Sequence, residues 1–345
     1  IENDFTDYKK LRAHIEANTG KDFSLEDLRL DIRDYYTKQR ISDISPFYFR
    51  KSTVKRTAHR LFRFLPDVET IKNNIKNRTF LTVTRSYLSM LFANWDLPSL
   101  EKFHRPVWAI KLQEKGWHKI REGFKKEYLR HQTKPDYSRK YIYIPLQRQP
   151  ERTTLTEGDI FVDQILMIDI VSYSIPKDWI IYVKENYMQW ALPRTHAGRF
   201  RGYTEEIMKK GNVRVIPAET GTFELIKNSQ AVATVTGTAA WEAVLRGKPA
   251  LVFGYVWFMY CDGIFRVRNV ETCESALRKI INGYVPDQQK IINLLKAFDE
   301  TTILGYQNIL FRDGSDSNIT FIKNDEENTK SITEGFYKEL MEPTF

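Results

Sequence analysis

Short apolar runs alternate with amphipathic segments through the second half of the sequence. Five runs rich in β-branched and aromatic residues predict strands, and helical spacing of apolar positions follows the first four directly. These runs span 141–146, 178–185, 212–218, 231–237 and 249–254. Strands that alternate with helices form βαβ units, so the pattern predicts an α/β fold with a parallel, doubly wound, Rossmann-like sheet.

The first part of the chain has mainly helical spacing. Residues 24–39 predict a helix that Ser24 and Asp27 begin as a capping box, and helical spacing resumes after Pro106. The polar, proline-containing stretch 133–140 predicts a linker. We therefore predict a helix-rich N-terminal domain (1–139), a Rossmann-like domain (140–300) and a helical tail (301–345) that packs back on the N-terminal domain.

The formal net charge of +9 is unevenly placed. Residues 1–139 carry 29 Lys and Arg against 18 Asp and Glu, so the rest of the chain is slightly acidic. A basic domain suits an anionic membrane surface, an acidic glycan or a nucleic acid, and a solvated basic surface is the plain alternative. Only two cysteines, no secretory signal pattern and no long apolar run together predict a cytoplasmic protein.

Ligands of open parallel sheets bind beyond the carboxyl ends of the strands, so the loops there hold the candidate site residues. After the fourth strand, Thr236-Gly237-Thr238 opens a helix whose free N–H groups would attract phosphate. Glu242 lies one turn further on, where it could bind ribose hydroxyls. The structural alternative is that Thr238 caps the helix and Glu242 favours its positive end. The segment is neither a G-x-G-x-x-G fingerprint nor a Walker lysine motif.

The other strand-end loops carry further carboxylates. Glu151 directly follows Pro150, and Glu219 follows the third strand; either could act as general base, general acid or nucleophile. Glu224 is the reserve for Glu219, although a carboxylate in a first helical turn has a structural explanation. Lys184 and Glu185 end the second strand, where Lys184 could hold phosphate. Plain loop or strand-end positions are the alternative for each of these residues.

The loop 192–200 carries His196, Arg194 and Arg199, which either contact an anionic sugar or diphosphate or are simply solvated. Histidines and cysteines have no metal-ligand spacing anywhere in the sequence, so we expect no metal.

These segments resemble the capsule polysaccharide synthesis family, which contains the retaining β-Kdo transferases of capsule and lipopolysaccharide assembly. The similarity runs through "YIPLQRQPERTT", "PKDWIIYVKEN" and "NVRVIPAETGTFELIKNSQAVATVTGTAAWEAVLRGKPALVFG". It covers roughly 141–265 and follows a QPE-x-T-T turn, a V-K-E-H-P strand end and a T-G-T-x-x-W-E-A helix. The sequence departs from that pattern at Asn186-Tyr187, which stand in place of His-Pro.

The resemblance implies a metal-independent GT-B glycosyltransferase with a helix-rich acceptor side and a Rossmann-like donor side. It implies a nucleotide-sugar donor, for which CMP-Kdo is one candidate, and a glycan or glycolipid acceptor. No other cofactor is expected. Glu151 and Glu219 would be catalytic, since a retaining double displacement needs two carboxylates. The implied donor-binding residues are Lys184, Glu185, Thr236, Gly237, Thr238 and Glu242.

The basic N-terminal half would then touch an anionic membrane or acceptor from the cytoplasmic side. A second hypothesis is a non-catalytic glycan- or nucleic-acid-binding protein on a degenerate Rossmann scaffold. The carboxylates at the strand ends argue against nucleic acid because they would repel phosphate. A third is a sugar-nucleotide epimerase, for which no alternative catalytic base is evident.

Overall fold

The computed structural model describes residues 8–41, 107–192, 195–305 and 324–341, together with positions 81, 85 and 88. A six-stranded parallel sheet lies at the centre of the described parts. Its strands are β1 (Tyr141–Pro145), β2 (Ile180–Lys184), β3 (Val213–Ile216), β4 (Ala231–Thr234), β5 (Ala250–Val252) and β6 (Ile264–Arg266).

The strand order is β3-β2-β1-β4-β5-β6, and every neighbouring pair is parallel. This is the doubly wound order in which the chain reverses its direction of sheet growth at β1. β1 pairs with β2 through Tyr143 and Tyr182 and with β4 through Tyr143 and Val232. The β1–β4 edge is therefore the topological switch point, where a ligand crevice opens beyond the strand ends.

Helices pack on both faces of the sheet, and twelve helices are present in the described ranges. They are α1 (Tyr8–Ala17), α2 (Leu30–Ile41), α3 (Val107–His131), α4 (Arg152–Glu157), α5 (Gln164–Ser174), α6 (Met188–Ala191), α7 (Tyr203–Met208), α8 (Thr222–Asn228), α9 (Ala239–Leu245), α10 (Val270–Ile281), α11 (Gln288–Thr301) and α12 (Asp325–Met341).

Alternation along each strand divides the core into two layers. Tyr141 and Tyr143 of β1 pack in one cluster with α9, α11, α1 and α2. Ile142 and Ile144 pack in the other cluster with α5, α7 and α10. Successive strand side chains point to opposite faces, so a strand covered on both sides is apolar throughout.

The predicted α/β fold with a doubly wound C-terminal sheet is confirmed, and the N-terminal residues that are described are largely helical. The prediction of five strands was one short. β6 has only three residues and two of them are half-buried, so its apolar signal is weak.

Two predicted helices are broken. The predicted helix at 24–39 is a 3-10 turn, Leu25–Asp27, followed by α2, with Leu28 in an extended conformation between them. The capping box of Ser24 and Asp27 is present, but it begins the short turn. The apolar run 159–174 predicts one helix, but the structure has a 3-10 turn, Asp159–Val162, followed by α5. Asp163 accepts a hydrogen bond from the amide of Ile165 and begins α5.

The N-terminal helices share the core of the sheet. Leu11 of α1 and Ile32 of α2 are fully buried in the same cluster as Val244 of α9. The indole N–H of Trp241 donates to the Tyr35 hydroxyl at 3.1 Å. Lys10 of α1 also pairs with Glu339 of α12. The division of the chain at 139 and 300 stays a prediction.

No helix in the described ranges is long and apolar enough to cross a membrane.

Candidate functional site

A cavity of about 280 Å³ opens at the carboxyl ends of β1 and β2. Its walls come from the end of β1, the β2–α6 turn, the loop before α8 and the start of α9. The residues that line it are Tyr143, Pro145, Leu146, Lys184, Glu185, Asn186, Tyr187, Met188, Ala218, Glu219, Thr220, Gly221, Thr222, Phe223, Thr238, Ala239 and Glu242. The cavity thus occupies the edge of the sheet where a doubly wound fold binds its ligand.

Lys184 is the basic residue of this cavity. Its ammonium group donates to the Thr222 hydroxyl at 2.6 Å and to the carbonyl of Thr220 at 3.0 Å. Burial lowers the pKa of Lys184 to about 8, although the nearby carboxylates of Glu242 and Glu219 act in the opposite direction. The strand end therefore presents a cation with two carboxylates in one partly enclosed space.

Glu185 lines the cavity, but its carboxylate faces a buried arginine. Arg199 donates from Nε to Oε2 at 2.8 Å and from Nη2 to Oε1 at 2.9 Å. The amide of Asn186 donates to the same Oε1 at 2.8 Å. Both side chains are almost fully buried, and a two-pronged pair of this kind fixes the orientation of both groups. From the sequence, Arg199 would either contact an anionic ligand or be exposed to solvent. In the structure it is buried in the interior.

Thr236 and Gly237 lie beside the cavity and hold the loop that leads into α9. The side chain of Gln147 donates to the Thr236 hydroxyl at 2.6 Å and accepts from the Thr236 amide at 3.1 Å. The amide of Gly237 donates to the Thr234 hydroxyl, and a Cβ at Gly237 would lie only 2.7 Å from that oxygen. The loop therefore requires glycine here, and Gln147 ties it to β1 across the switch point.

Thr238 lines the cavity at the N-cap position of α9, and its side chain makes no capping hydrogen bond. Glu242 is buried one turn into α9 and also lines the cavity. The side chain of Thr238 therefore does not cap α9 in the way that the structural alternative required. Both side chains face the same space as Lys184.

Glu151 lies outside the cavity lining, in the loop after β1. It stands at the N-cap position of α4 and pairs with Arg148 at 3.3 Å. Glu219 is exposed and lines the cavity, whereas Glu224 is exposed on α8 outside the lining. The structure thus brings together Lys184, Glu185, Glu219, Thr238 and Glu242, places Thr236 and Gly237 behind them, and keeps Glu151 apart.

The sequence did not indicate the roles of two residues, Tyr143 and Gln147, and it indicated a ligand or solvent rather than Glu185 as the partner of Arg199. Tyr143 lines the cavity from the middle of β1, Gln147 holds Thr236, and Arg199 neutralises Glu185. In the sequence, Tyr143 looks like any other apolar position of a strand. Its role becomes visible only when the cavity at the carboxyl end of the sheet is known. The Arg199–Glu185 pair joins residues 14 apart, and no local spacing indicates it.

Comparison with known proteins identifies a family. The model of the family described as capsule polysaccharide biosynthesis protein matches residues 99–283. No curated protein sequence matches the chain significantly.

Several solved structures are similar over part of the chain. They include the β-Kdo 2,7 transferase KpsC of Thermosulfurimonas dismutans, at 14% identity and a TM-score of 0.34, over 55% of this chain and 53% of that one. The β-Kdo 2,4 transferase KpsC of the same organism has 14% identity and a TM-score of 0.31, over 61% and 58%. A putative UDP-N-acetylglucosamine 2-epimerase from Listeria monocytogenes has 14% identity and a TM-score of 0.29, over 46% and 40%.

The chain spans about half the length of the solved structures that it resembles.

Proposed function

This chain belongs to the capsule polysaccharide biosynthesis protein family, as its motifs indicated, and we propose that it is a glycosyltransferase that builds a surface polysaccharide or glycolipid from a nucleotide-sugar donor. The observation that carries the proposal is the cavity at the switch point. It joins Lys184, the carboxylates of Glu219 and Glu242, and the Thr238 helix start around a space of about 280 Å³.

In this proposal the cavity holds the donor. Lys184 neutralises phosphate, Glu242 binds ribose hydroxyls, and Thr236 and Gly237 keep the loop before Thr238 in place. Glu219, which is exposed at the cavity wall, performs acid–base or nucleophilic chemistry. Glu185 supports the site from behind, since Arg199 engages both of its oxygens.

Glu151 is proposed as the second carboxylate of a retaining double displacement. It lies on the loop that follows β1, the strand at the centre of the switch point. CMP-Kdo is a candidate donor, and the chemistry proposed needs no metal. The basic N-terminal part would approach the acidic acceptor or an anionic membrane.

The first experiment is a thermal-shift screen of the wild-type protein with CMP, UDP, GDP and their sugars. A ligand that binds only the folded state raises the melting temperature, so the nucleotide that stabilises the protein identifies the donor class. If none of them stabilises it, the glycosyltransferase proposal fails and the non-catalytic glycan-binding alternative gains support.

The second experiment compares Glu219→Gln with Glu224→Gln. We expect Glu219→Gln to slow release of nucleotide from the donor by about 100-fold or more, since a lost acid–base group costs that much. Nucleotide affinity should change little. Glu224→Gln is the matched control, because Glu224 is also exposed and lies five residues away but does not line the cavity. Near-normal turnover by Glu219→Gln would exclude Glu219 as a catalytic residue. Glu151→Gln is assayed in the same way.

A further inference from the structure

Tyr143 has a buried hydroxyl with no hydrogen-bond partner. The side chain lies in the middle of β1 and is fully buried. Its hydroxyl makes no hydrogen bond of acceptable geometry to any residue in the described parts of the protein, although the Thr222 hydroxyl is near it. Buried phenol hydroxyls nearly always have a partner, so an unpaired one calls for an explanation.

Tyr143 belongs to the residues that line the cavity, where a ligand would supply the partner for its hydroxyl. Tyr143 lines the cavity together with Lys184, whose Nζ lies 5.7 Å from the centroid of the Tyr143 ring. The Thr222 hydroxyl is close by, and Lys184 donates to it at 2.6 Å. Burial raises the pKa of Tyr143, so its hydroxyl stays protonated and available as a donor at physiological pH.

Lys184 has a donor left for the same ligand. An ammonium group has three N–H bonds, and two of them point to Thr220 and Thr222. The remaining N–H bond and the Tyr143 hydroxyl are therefore two donors that belong to neighbouring residues of the cavity wall. Two donors, one of them charged, suit an anionic oxygen.

We propose that the Tyr143 hydroxyl is a ligand-binding group that acts with Lys184 on one anionic group, a phosphate or carboxylate, of the donor bound in the cavity. This inference rests on the proposed function, because it takes the occupant to be a nucleotide sugar. It adds a residue whose hydroxyl has no well-formed hydrogen bond to lose in the free protein.

Tyr141 provides a matched control on the same strand. It lies two residues before Tyr143, faces the same core cluster and is fully buried. Its hydroxyl, however, donates to the carbonyl of Leu225 at 2.7 Å, and Tyr141 is not part of the cavity wall. Comparison of Tyr141 with Tyr143 therefore distinguishes a hydroxyl with a structural role from one that binds a ligand.

The test compares Tyr143→Phe and Tyr141→Phe in two measurements. Without ligand, we expect Tyr143→Phe to melt at or above the wild-type temperature, whereas Tyr141→Phe melts lower because it loses a satisfied buried hydrogen bond. By isothermal titration with the nucleotide that stabilises the wild type, Tyr143→Phe should raise Kd about tenfold. Tyr141→Phe should leave Kd within twofold.

Comparison of the sugar-free nucleotide with the intact nucleotide sugar shows which part of the donor carries the anionic group. A loss of affinity seen already with the sugar-free nucleotide assigns the Tyr143 contact to phosphate, and a loss seen only with the intact nucleotide sugar assigns it to the sugar. An unchanged Kd in Tyr143→Phe, or a fall in melting temperature equal to that of Tyr141→Phe, overturns the inference while the proposed function stands. A wild-type protein that binds no nucleotide overturns both.

Discussion

At the scale of single residues, Lys184 combines two opposing influences. Burial lowers its pKa to about 8, and the carboxylates of Glu242 and Glu219 only partly offset that effect. The ammonium form therefore persists at neutral pH but is lost a little above it. If Lys184 binds phosphate from this position, the affinity of the protein for the phosphate ligand must change as Lys184 loses its proton.

We expect the affinity for the stabilising nucleotide to fall as the pH rises through about 8, because neutral Lys184 no longer attracts an anion. Isothermal titration between pH 6.5 and 9.5 measures this change. Lys184→Met should bind more weakly at pH 7 and lose this part of the pH dependence. An affinity of the wild type that is constant from pH 7 to 9.5 would contradict a charge-dependent role of Lys184.

The stability of the protein should change with pH in the opposite direction to the nucleotide affinity. The pKa of Lys184 is lower in the folded chain than the value of about 10.4 expected when unfolded. Between these values the unfolded state binds more protons, so the contribution of Lys184 to stability rises with pH while ligand binding weakens.

At the scale of elements, a buried polar network joins the loops at the carboxyl edge of the sheet. Arg199 pairs with Glu185 after β2 and donates to the carbonyl of Gln147 after β1 at 3.2 Å. Gln189 of α6 exchanges two hydrogen bonds with the backbone of Gln149, at 2.7 and 2.8 Å. Loops held in this way give the cavity a shape before any ligand arrives.

The Arg199–Glu185 pair predicts a large and non-additive effect on stability. Arg199→Leu should lower the free energy of unfolding by about 3–5 kcal/mol, because it leaves the Glu185 carboxylate buried without its partner. The double variant Glu185→Leu, Arg199→Leu should be less destabilised than Arg199→Leu alone. Urea unfolding measures both.

Lys209→Ala is the control for this cycle. Lys209 pairs with Glu206 at 2.6 Å on the exposed surface, where water screens the attraction. Its urea midpoint should stay near the wild-type value. If Arg199→Leu behaved like Lys209→Ala, the network would not hold the loops.

At the scale of the whole molecule, the N-terminal helices are part of the sheet's core. α1 packs along α11, and Asn293 of α11 donates to the backbone carbonyls of Asn18 and Lys21. α2 contacts α9, the helix that carries Glu242. Changes in residues 8–41 should therefore reach the rest of the fold.

Ile32→Ala should lower the free energy of unfolding by about 2–5 kcal/mol, since Ile32 is fully buried against the core of the sheet. Ile41→Ala is the matched control in the same helix, because Ile41 is 80% exposed. Unfolding followed by tryptophan fluorescence and circular dichroism should give one shared transition for both variants. A separate early transition in Ile32→Ala would show that α2 unfolds independently of the sheet.

The local pattern and the fold class were largely readable from the sequence. The five main strands of a parallel sheet are continuous apolar runs, and helices follow four of them directly, so periodicity alone predicts the α/β fold. The rule that ligands bind beyond the strand ends then selects Lys184, Glu219, Thr238 and Glu242 as candidates, and the structure places them around one cavity. β6 was missed because a three-residue, half-buried strand has almost no periodic signal.

What only the tertiary structure decided is which polar groups face the cavity and which face each other. Glu185 and Glu219 look alike as strand-end carboxylates, yet Arg199 encloses the first and the second stays open. Tyr141 and Tyr143 look alike in "YIYIP", yet only the first finds a carbonyl partner. Local sequence determines periodicity and hence the elements, whereas the partner of a buried polar group comes from distant segments that meet only when the sheet and its loops are assembled.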